Sequence, residues 1–589
     1  MTVLSRHLSL ALLLALLLGI SRGAFAATPP DLLGPGGWSL STPHPNDADL
    51  AVNPATITVT VKTPTNPFYL IQITRDIPAA VLRGDRIKLH FRARSATNNP
   101  LRVTIERSGP PYDPVVNQSI TLAPSWQEFT LIGDSPGYGP SGISAHFQMG
   151  HQAGTVELSN ITVTDLGINP AQTKAQAALA PAALSARIEK YRKGTLTVSV
   201  VDARGKPVRG AMVKVAQTRH AFLFGCNFFG LDPASKSPDQ IAYQNEFGAL
   251  FNYATLPFYW GSFESTQGNP DYARLEKMAL YCKAHGITPK GHPLVWHEVW
   301  PGWAPKDPET AIPLLKARVS DLIPRYKETI HYWDVLNEAN GATGQQPPNG
   351  ESRWIQRDGP APVVETALGW ARAAGQGIPE TFLYNDYETG ASNVALLTKL
   401  QADGKLPDAI GIQSHMHSGV WPEIKIWEVC DRFAAFGKPI HFTETTVISG
   451  PARDYSYTAP NPGWNTTPED EAKQAAYVSR FYTILFSHPS IRAITWWDFS
   501  DRNAWMEAPA GLIRKDMSPK PAYTQLKDLI HKQWWTNAVG RTSGQGTYTG
   551  RVFYGDYLVT VTGKSGRTVT RTISFPEAAP PKTVVVRLP

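Results

Sequence analysis

Between Phe222 and Trp535 short apolar segments alternate with stretches of helical periodicity, and this alternation restricts the fold more than any other feature. The segments are "FLFGCN", "FNYATLP", "ITPKGHPLVW", "TIHYWDVLNE", "TFLYNDY", "AIGIQSH", "PIHFTET" and "RAITWWDF". Apolar runs separated by amphipathic helices indicate parallel strands buried on both faces, and eight such units close into a barrel. A doubly wound dinucleotide-binding sheet would place G-x-G-x-x-G after a strand, and none follows these. The expected fold class is therefore α/β, with a (β/α)8 TIM barrel over 222–535.

The flanks read differently. From 27 to 168, "TITVTVKTP", "DRIKLHFRARS", "LRVTIERSG" and "TVELSNITVTD" alternate apolar and polar residues between Pro, Gly and Asn turns, the pattern of an antiparallel β-sandwich. Residues 169–193 are Ala-rich and read as a linker running into a short helix. Alternation returns over 194–221 and 536–589. Neither segment has enough strands to bury a core alone, so the two are expected to share a sheet or core as one small accessory β-sandwich.

Residues 1–26 carry Arg6 and His7, an apolar run from Leu8 to Ile20, and Ala24-Phe25-Ala26 before Ala27. This is the pattern of a cleaved signal peptide, and the run is shorter than the ~20 residues that span a bilayer. The expected mature protein is secreted, extracellular or periplasmic, with no membrane attachment after cleavage.

A charged fraction of 18% and 17 tryptophans describe a folded chain. The net charge of +7 is spread out rather than gathered in Lys/Arg runs, which gives no footprint for nucleic acid. Cys226, Cys282 and Cys430 lack C-x-x-C spacing, so buried thiols are expected rather than a zinc site or a disulfide framework.

In a (β/α)8 barrel, reactive groups sit at the C-terminal strand ends. Here those ends carry His292 and Trp296-His297 (third), Asn337-Glu338 (fourth), Tyr384-Asn385-Asp386-Tyr387 (fifth), Gln413 and His415 (sixth), Glu444 (seventh) and Trp497-Asp498 (eighth). Strands four and seven face each other across a closed barrel, so Glu338 and Glu444 can converge on one bond. Glycoside cleavage needs a proton donor and a nucleophile or activated water. Carboxyls about 5–5.5 Å apart act with retention and about 6.5–9.5 Å apart with inversion. Gln413 and His415 can hold a sugar hydroxyl or keep Glu444 ionised, and Asn337 can bind a 2-hydroxyl. Trp296, Trp497 and Trp505 offer flat faces to a pyranose, and His292 offers a polar group to its edge. Trp333 and Trp496 are assigned to the core, and His297 divides evenly between structure and site. Metal chemistry could draw on His292, His297, His415 and His417, but no H-E-x-x-H spacing is present, so no metal is expected.

Taken as a set, "GHPLVWH", "WDVLNE", "YNDYE", "GIQSHMH", "HFTET" and "ITWWDFSDRNAW" resemble glycoside hydrolase family 10, typified by endo-β-1,4-xylanases, over about 193–529. The resemblance implies that Glu338 is the general acid/base and Glu444 the nucleophile of a retaining double displacement. It also implies that His292, Trp296, Asn337, Gln413, His415, Trp497 and Trp505 line the flanking subsites. The family's chemistry uses no cofactor, and the expected partner of a monomer is a polysaccharide or oligosaccharide. Two departures bear on substrate. The family's Glu-Asn-x-x-Lys segment after strand two is replaced here by "FNYATLPFYWGSFE", with Pro257, Phe258 and Tyr259 nearby, and Asp498 stands where a small residue is usual.

The N-terminal sandwich is similar to carbohydrate-binding modules of the families 4, 9 and 22 type through "FYLIQITRDIPAAVLRGDRIKLHFRARS" and "LAPSWQEFTL". Its Trp38, Tyr69, Tyr112 and Trp126 are candidate ring platforms, with Trp126 expected in the core. In the long barrel loops, Trp354, Tyr455, Tyr457 and Trp464 are candidates for outer subsites. Three readings of function follow: a secreted retaining endo-xylanase, the same chemistry on another β-linked glycan or glycoside, and a catalytically silent glycan-binding protein.

Overall fold

The computed structural model describes residues 30–109, 112–453, 463–577 and 579–589. The expected signal peptide at 1–26 and the loop tyrosines Tyr455 and Tyr457 lie outside them. The chain divides into two compact units that meet between Lys174 and Ala175.

The first unit is a sandwich of two five-stranded sheets. Its strand Asp85–Ser95 shows why it forms, because burial alternates strictly along all 11 residues and sends Ile87, Leu89, Phe91 and Ala93 inward. Val59, Val103, Phe147 and Val156 from neighbouring strands complete the core. Trp126 departs from expectation. It lies outside this core, with the guanidinium carbons of Arg92 and Arg94 over its ring at 5.4 and 4.9 Å. The arginines take up the apolar face that a core position would have buried. Tyr69 and Tyr112 are exposed, and Trp38 packs edge-on to Phe147.

Helix occupies nearly all of 170–191, as Pro170–Leu179 and Pro181–Tyr191, where a linker with one short helix was expected. Alanine is the best helix former, and Pro181 at a first helical position starts the second helix instead of breaking the first.

In the second unit, eight parallel strands close into a barrel: β1 (Leu223–Asn227), β2 (Tyr253–Pro257), β3 (Thr288–His292), β4 (Tyr332–Asn337), β5 (Thr381–Asp386), β6 (Ala409–Met416), β7 (Ile440–Val447) and β8 (Ile491–Trp496). All eight residues of β7 are buried, which requires the continuous apolar and small-polar text of "IHFTETTV". Several outer helices start on side-chain caps. Ser237, Asp271, Asp307 and Thr467 each accept a backbone N–H from the first turn. Trp333 and Trp496 are fully buried, and the three cysteines are buried free thiols. Among the described residues no helix is long and apolar enough to cross a membrane.

The two accessory segments share both sheets of a small sandwich. Lys193–Val201 pairs with Thr547–Phe553 and Lys582–Arg587, and Met212–His220 pairs with Asn537–Arg541 and Gly555–Thr562. Val198, Val213, Val559 and Phe575 fill the core between them.

Candidate active site

At the end of β4, Asn337 is buried and Glu338 takes a left-handed backbone conformation, φ +61° and ψ +44°, before the short helix Ala339–Ala342. A residue with a Cβ pays about 1–3 kcal/mol there, so its surroundings must enforce the turn. One restraint is visible. The Glu338 N–H donates to the Asn385 carbonyl on β5 at 2.8 Å.

Both Glu338 oxygens accept hydrogen bonds, Oε2 from the Trp296 indole N–H at 3.0 Å and Oε1 from the Gln413 amide at 2.7 Å. Gln413 lies in register with Glu444 on β7, yet its side chain serves Glu338. Trp296 likewise serves the carboxyl through its N–H in addition to offering a ring face.

Glu444 is 4% exposed. Its Oε1 accepts from the Asn385 amide at 2.7 Å, and its Oε2 lies 3.1 Å from His415 Nε2. Burial lowers the His415 pKa to about 3, so the ring is neutral. Donating from Nε2, it accepts the Thr446 hydroxyl at Nδ1, 2.9 Å away. On the other side His292 Nε2 stands 3.8 Å from Glu444 Oε1, while its Nδ1 is held by Asp334 at 2.7 Å. Asp334 in turn pairs with Lys290 at 2.5 Å, both fully buried. Burial pushes the Asp334 carboxyl up, but Lys290 and His292 outweigh it and hold it below the usual range.

Asn385 joins the two halves. Its amide also donates to Asn337 Oδ1 at 2.8 Å, its Oδ1 accepts from the Thr443 hydroxyl, and Gln413 reaches the same Asn337 oxygen at 3.4 Å. Gly411 on β6 makes room for it, since a Cβ there would lie 2.6 Å from Asn385 Oδ1.

The two carboxyls differ electrostatically. Burial first, and then the nearby Glu444 charge, raise Glu338 to about 8. Burial also raises Glu444, opposed by the His292 and Lys290 charges and the Asn385 amide. One carboxyl is thus set to hold a proton at neutral pH while the other is supplied with donors that stabilise its anion, the division of labour of an acid/base pair.

Around this pair lies a cleft of about 1040 Å³. His292, Trp296, Asn337, Gln413, His415, Trp497 and Trp505 all line it. Trp497 is 6% exposed and stands edge-on to Phe229 and His292, whereas Trp505 is 45% exposed at the rim. Among the described residues Asn337 Nδ2 has no protein partner. Asp498 is buried against the cleft, with Oδ1 accepting the Trp505 backbone N–H at 3.0 Å and Oδ2 unpartnered among the described residues; burial raises it to about 7.

Glu298 and Phe229 were not singled out in the sequence, and Asn385 and Tyr387 were named there only among the polar residues ending the fifth strand, without a role. After β2, Phe258 is fully buried and Tyr259 alone turns to the cleft, 5.3 Å ring to ring from Trp296. Trp354 stacks on Trp370 and bonds Asp358, and Trp464 is buried with its N–H on the Pro451 carbonyl, so both serve packing. His297 is buried; with Glu298 and Glu338 it forms a set whose ligand atoms lie within 4.8 Å of one another and could hold a metal ion. In that set Glu338 is already bonded at both oxygens.

The sequence model of glycosyl hydrolase family 10 matches residues 223–529. Similar curated proteins include Endo-1,4-beta-xylanase B of Thermotoga neapolitana, 27% identical over 358 residues, covering 57% of this chain and 95% of that protein. Anti-sigma-I factor RsgI6 of Acetivibrio thermocellus is 26% identical over 384 residues, which is 64% of this chain and 46% of that protein. This chain therefore matches less than half the length of the second. Among solved structures, one of GH10 from Paenibacillus barcinonensis aligns with a TM-score of 0.45 at 24% identity, covering 53% of this chain and 95% of that one. With more than half of the residues matched by the family model, the chain belongs to glycosyl hydrolase family 10.

Proposed function

We propose that this chain is a secreted, retaining glycoside hydrolase that cleaves internal β-1,4 linkages of xylan, with Glu338 as general acid/base and Glu444 as nucleophile. The observation that carries the reading is the asymmetry of the two carboxyls, Glu338 raised to about 8 and Glu444 surrounded by Asn385, His415 and His292.

In the first step Glu338 gives its proton to the leaving oxygen while Glu444 Oε attacks the anomeric carbon. The carbon–oxygen bond to the leaving sugar breaks as the bond to Glu444 forms. Esterification removes the Glu444 charge that helped raise Glu338, so the Glu338 pKa falls and its carboxylate becomes a competent base. In the second step Glu338 takes a proton from water, the oxygen attacks the same carbon, and Glu444 leaves as carboxylate. Asn337 Nδ2, unpartnered among the described residues, would donate to a sugar hydroxyl, and Trp497 and Trp505 would supply ring faces.

The test is product analysis on xylans, β-glucans and aryl β-glycosides, with the anomer released first followed by NMR, for wild type, Glu338→Ala and Glu444→Ala. Retention with loss of turnover in Glu444→Ala is expected; full activity in Glu444→Ala would overturn the assignment. One observation favours a second substrate reading, another β-linked glycan or glycoside. The Glu-Asn-x-x-Lys grip is absent, and Tyr259 occupies that wall. Preference for β-glucan or aryl glycoside over xylan in the same panel would select it.

The proposal extends to the N-terminal sandwich as a glycan-binding module with Tyr69 and Tyr112 as exposed platforms. Unchanged retention of the full chain on insoluble glycan after Tyr69→Ala with Tyr112→Ala would remove that extension.

A further inference from the structure

A third carboxyl lies beside the acid/base. Glu298 follows His297 in the loop after β3 and lines the cleft, and one of its oxygens lies within 4.8 Å of a Glu338 oxygen. Its place is enforced. The next residue, Val299, has φ +48°, a left-handed conformation that a β-branched side chain adopts only where its surroundings dictate it. The Val299 carbonyl accepts the Gly261 N–H at 2.7 Å, and a Cβ on Gly261 would come within 2.5 Å of that oxygen. The strained turn is thus clamped to the segment after β2.

We infer that Glu298 is a positioning residue for catalysis, whose carboxylate holds the proton on Glu338 until the leaving group takes it. The inference rests on the acid/base assignment of Glu338. Of two adjacent carboxyls, the more solvated ionises first, and its charge then opposes ionisation of the other. Burial raises both carboxyls, but Glu298 is the one exposed to solvent and Glu338 the enclosed one, so Glu298 ionises first.

The other groups facing the pair leave this interaction distinct. Glu351, on the helix Gly350–Asp358, is fully buried and held protonated by that burial. Tyr259, Tyr384 and Tyr387 are pushed upward by burial and stay neutral. Burial lowers His297 to about 4, so it is neutral too. Glu444 remains, across the cleft, and its charge disappears once the glycosyl-enzyme forms. Asp386, on β5, is held by Asn340 and the Tyr384 hydroxyl in both steps alike, so Glu298 is a carboxylate that stays beside Glu338 after Glu444 is esterified, and its charge strengthens Glu338 as a base in the second step.

The experiment is the pH dependence of kcat/KM for the full chain on an unactivated oligosaccharide and on a 2,4-dinitrophenyl β-glycoside, whose leaving group departs without a proton. In Glu298→Gln the alkaline limb on the oligosaccharide should move about half to one pH unit lower, the size expected of a partly solvated charge near 5 Å. Glu298→Asp should restore most of the displacement, and the dinitrophenyl substrate should show none. Glu309→Gln, which removes an exposed charge outside the lining of the cleft, serves as control.

An alkaline limb unmoved in Glu298→Gln, or moved equally in Glu309→Gln, overturns the inference. So does an equal loss on both substrates at every pH, which would mark Glu298 as a substrate contact or a folding requirement. If Glu338→Gln keeps normal activity on the oligosaccharide, the acid/base assignment itself has failed. If Glu338→Gln loses it while Glu298→Gln leaves the limb in place, only this inference has failed.

Discussion

The Asn385 amide donates to Glu444 at 2.7 Å and to Asn337 at 2.8 Å, so a single side chain fixes the nucleophile relative to the residue that precedes the acid/base. It has little freedom to move, because its oxygen is bonded to Thr443 and its flank is packed on Gly411.

Replacing Asn385 with Ala removes a charge-assisted hydrogen bond worth about 1.5–3 kcal/mol from the Glu444 anion. The expected loss is ~10–100-fold in kcat, with smaller change in KM, since the group acts on the reacting carboxylate. Steady-state kinetics beside circular-dichroism melting separate this from unfolding. A kcat within twofold of wild type would remove Asn385 from the mechanism.

Glu338→Ala should lose ~10³-fold on glycans whose leaving group needs a proton and far less on a dinitrophenyl glycoside. The pH profile carries the sign. Glu338 must be protonated in the first step, so kcat/KM of wild type should fall as pH rises through about 8, and this limb should vanish in the variant. A wild-type alkaline limb that survives in Glu338→Ala would assign the proton donor elsewhere.

Asp498 offers a prediction in stability. Its pKa rises from the ordinary carboxylate range in the unfolded chain to about 7 when buried, so the native state disfavours its ionisation. The unfolded chain releases the proton from about pH 4 upward, and the native state is therefore penalised increasingly between about pH 4 and 7. Asp498→Asn retains an acceptor for the Trp505 N–H and escapes this penalty. It should be about 2–4 kcal/mol more stable than wild type at pH 7.5 and nearly equal at pH 4, as measured by urea unfolding.

The barrel and its two glutamates were legible because both are encoded by position. Eight apolar runs set the strands; Glu338 follows the end of β4, and Glu444 lies in the C-terminal half of the opposed β7, three residues before its end. What escaped reading was encoded by partner. Gln413 pairs in register with Glu444 but reaches Glu338, a choice made by side-chain reach across the mouth of the barrel. Asn385 carries no charge and stands among four polar residues of similar appearance, so only its contacts distinguish it. Glu298 depends on a left-handed Val299, a conformation that no β-branched residue announces. Trp126 was misplaced because a tryptophan on a strand suggests a core, whereas two arginines on the adjacent strand cover its ring at the surface.

Arg192 leads to the last prediction. The residue is 3% exposed, and its guanidinium joins the accessory sandwich to the barrel, donating to the carbonyls of Phe486 at 2.6 Å, His488 at 2.6 Å and Ile491 at 2.9 Å, and to Glu577. The rings of Phe222 and Phe486 lie beneath it. Arg192→Ala takes the donor from the Phe486 and His488 carbonyls and removes one of the two arginines on Glu577, which keeps Arg492 at 3.4 Å, so the loss should fall toward the lower end of the about 3–5 kcal/mol expected for a buried ion pair broken on one side. Arg192→Lys keeps the charge but provides one nitrogen where the guanidinium spreads its donors over three, so it should recover only part of this. Thermal unfolding of the full chain should rank wild type above Lys above Ala. If Ala matches wild type, the carbonyl cluster at the end of helix Pro468–Ser487 holds without the arginine, and the accessory sandwich is secured by its apolar contacts instead.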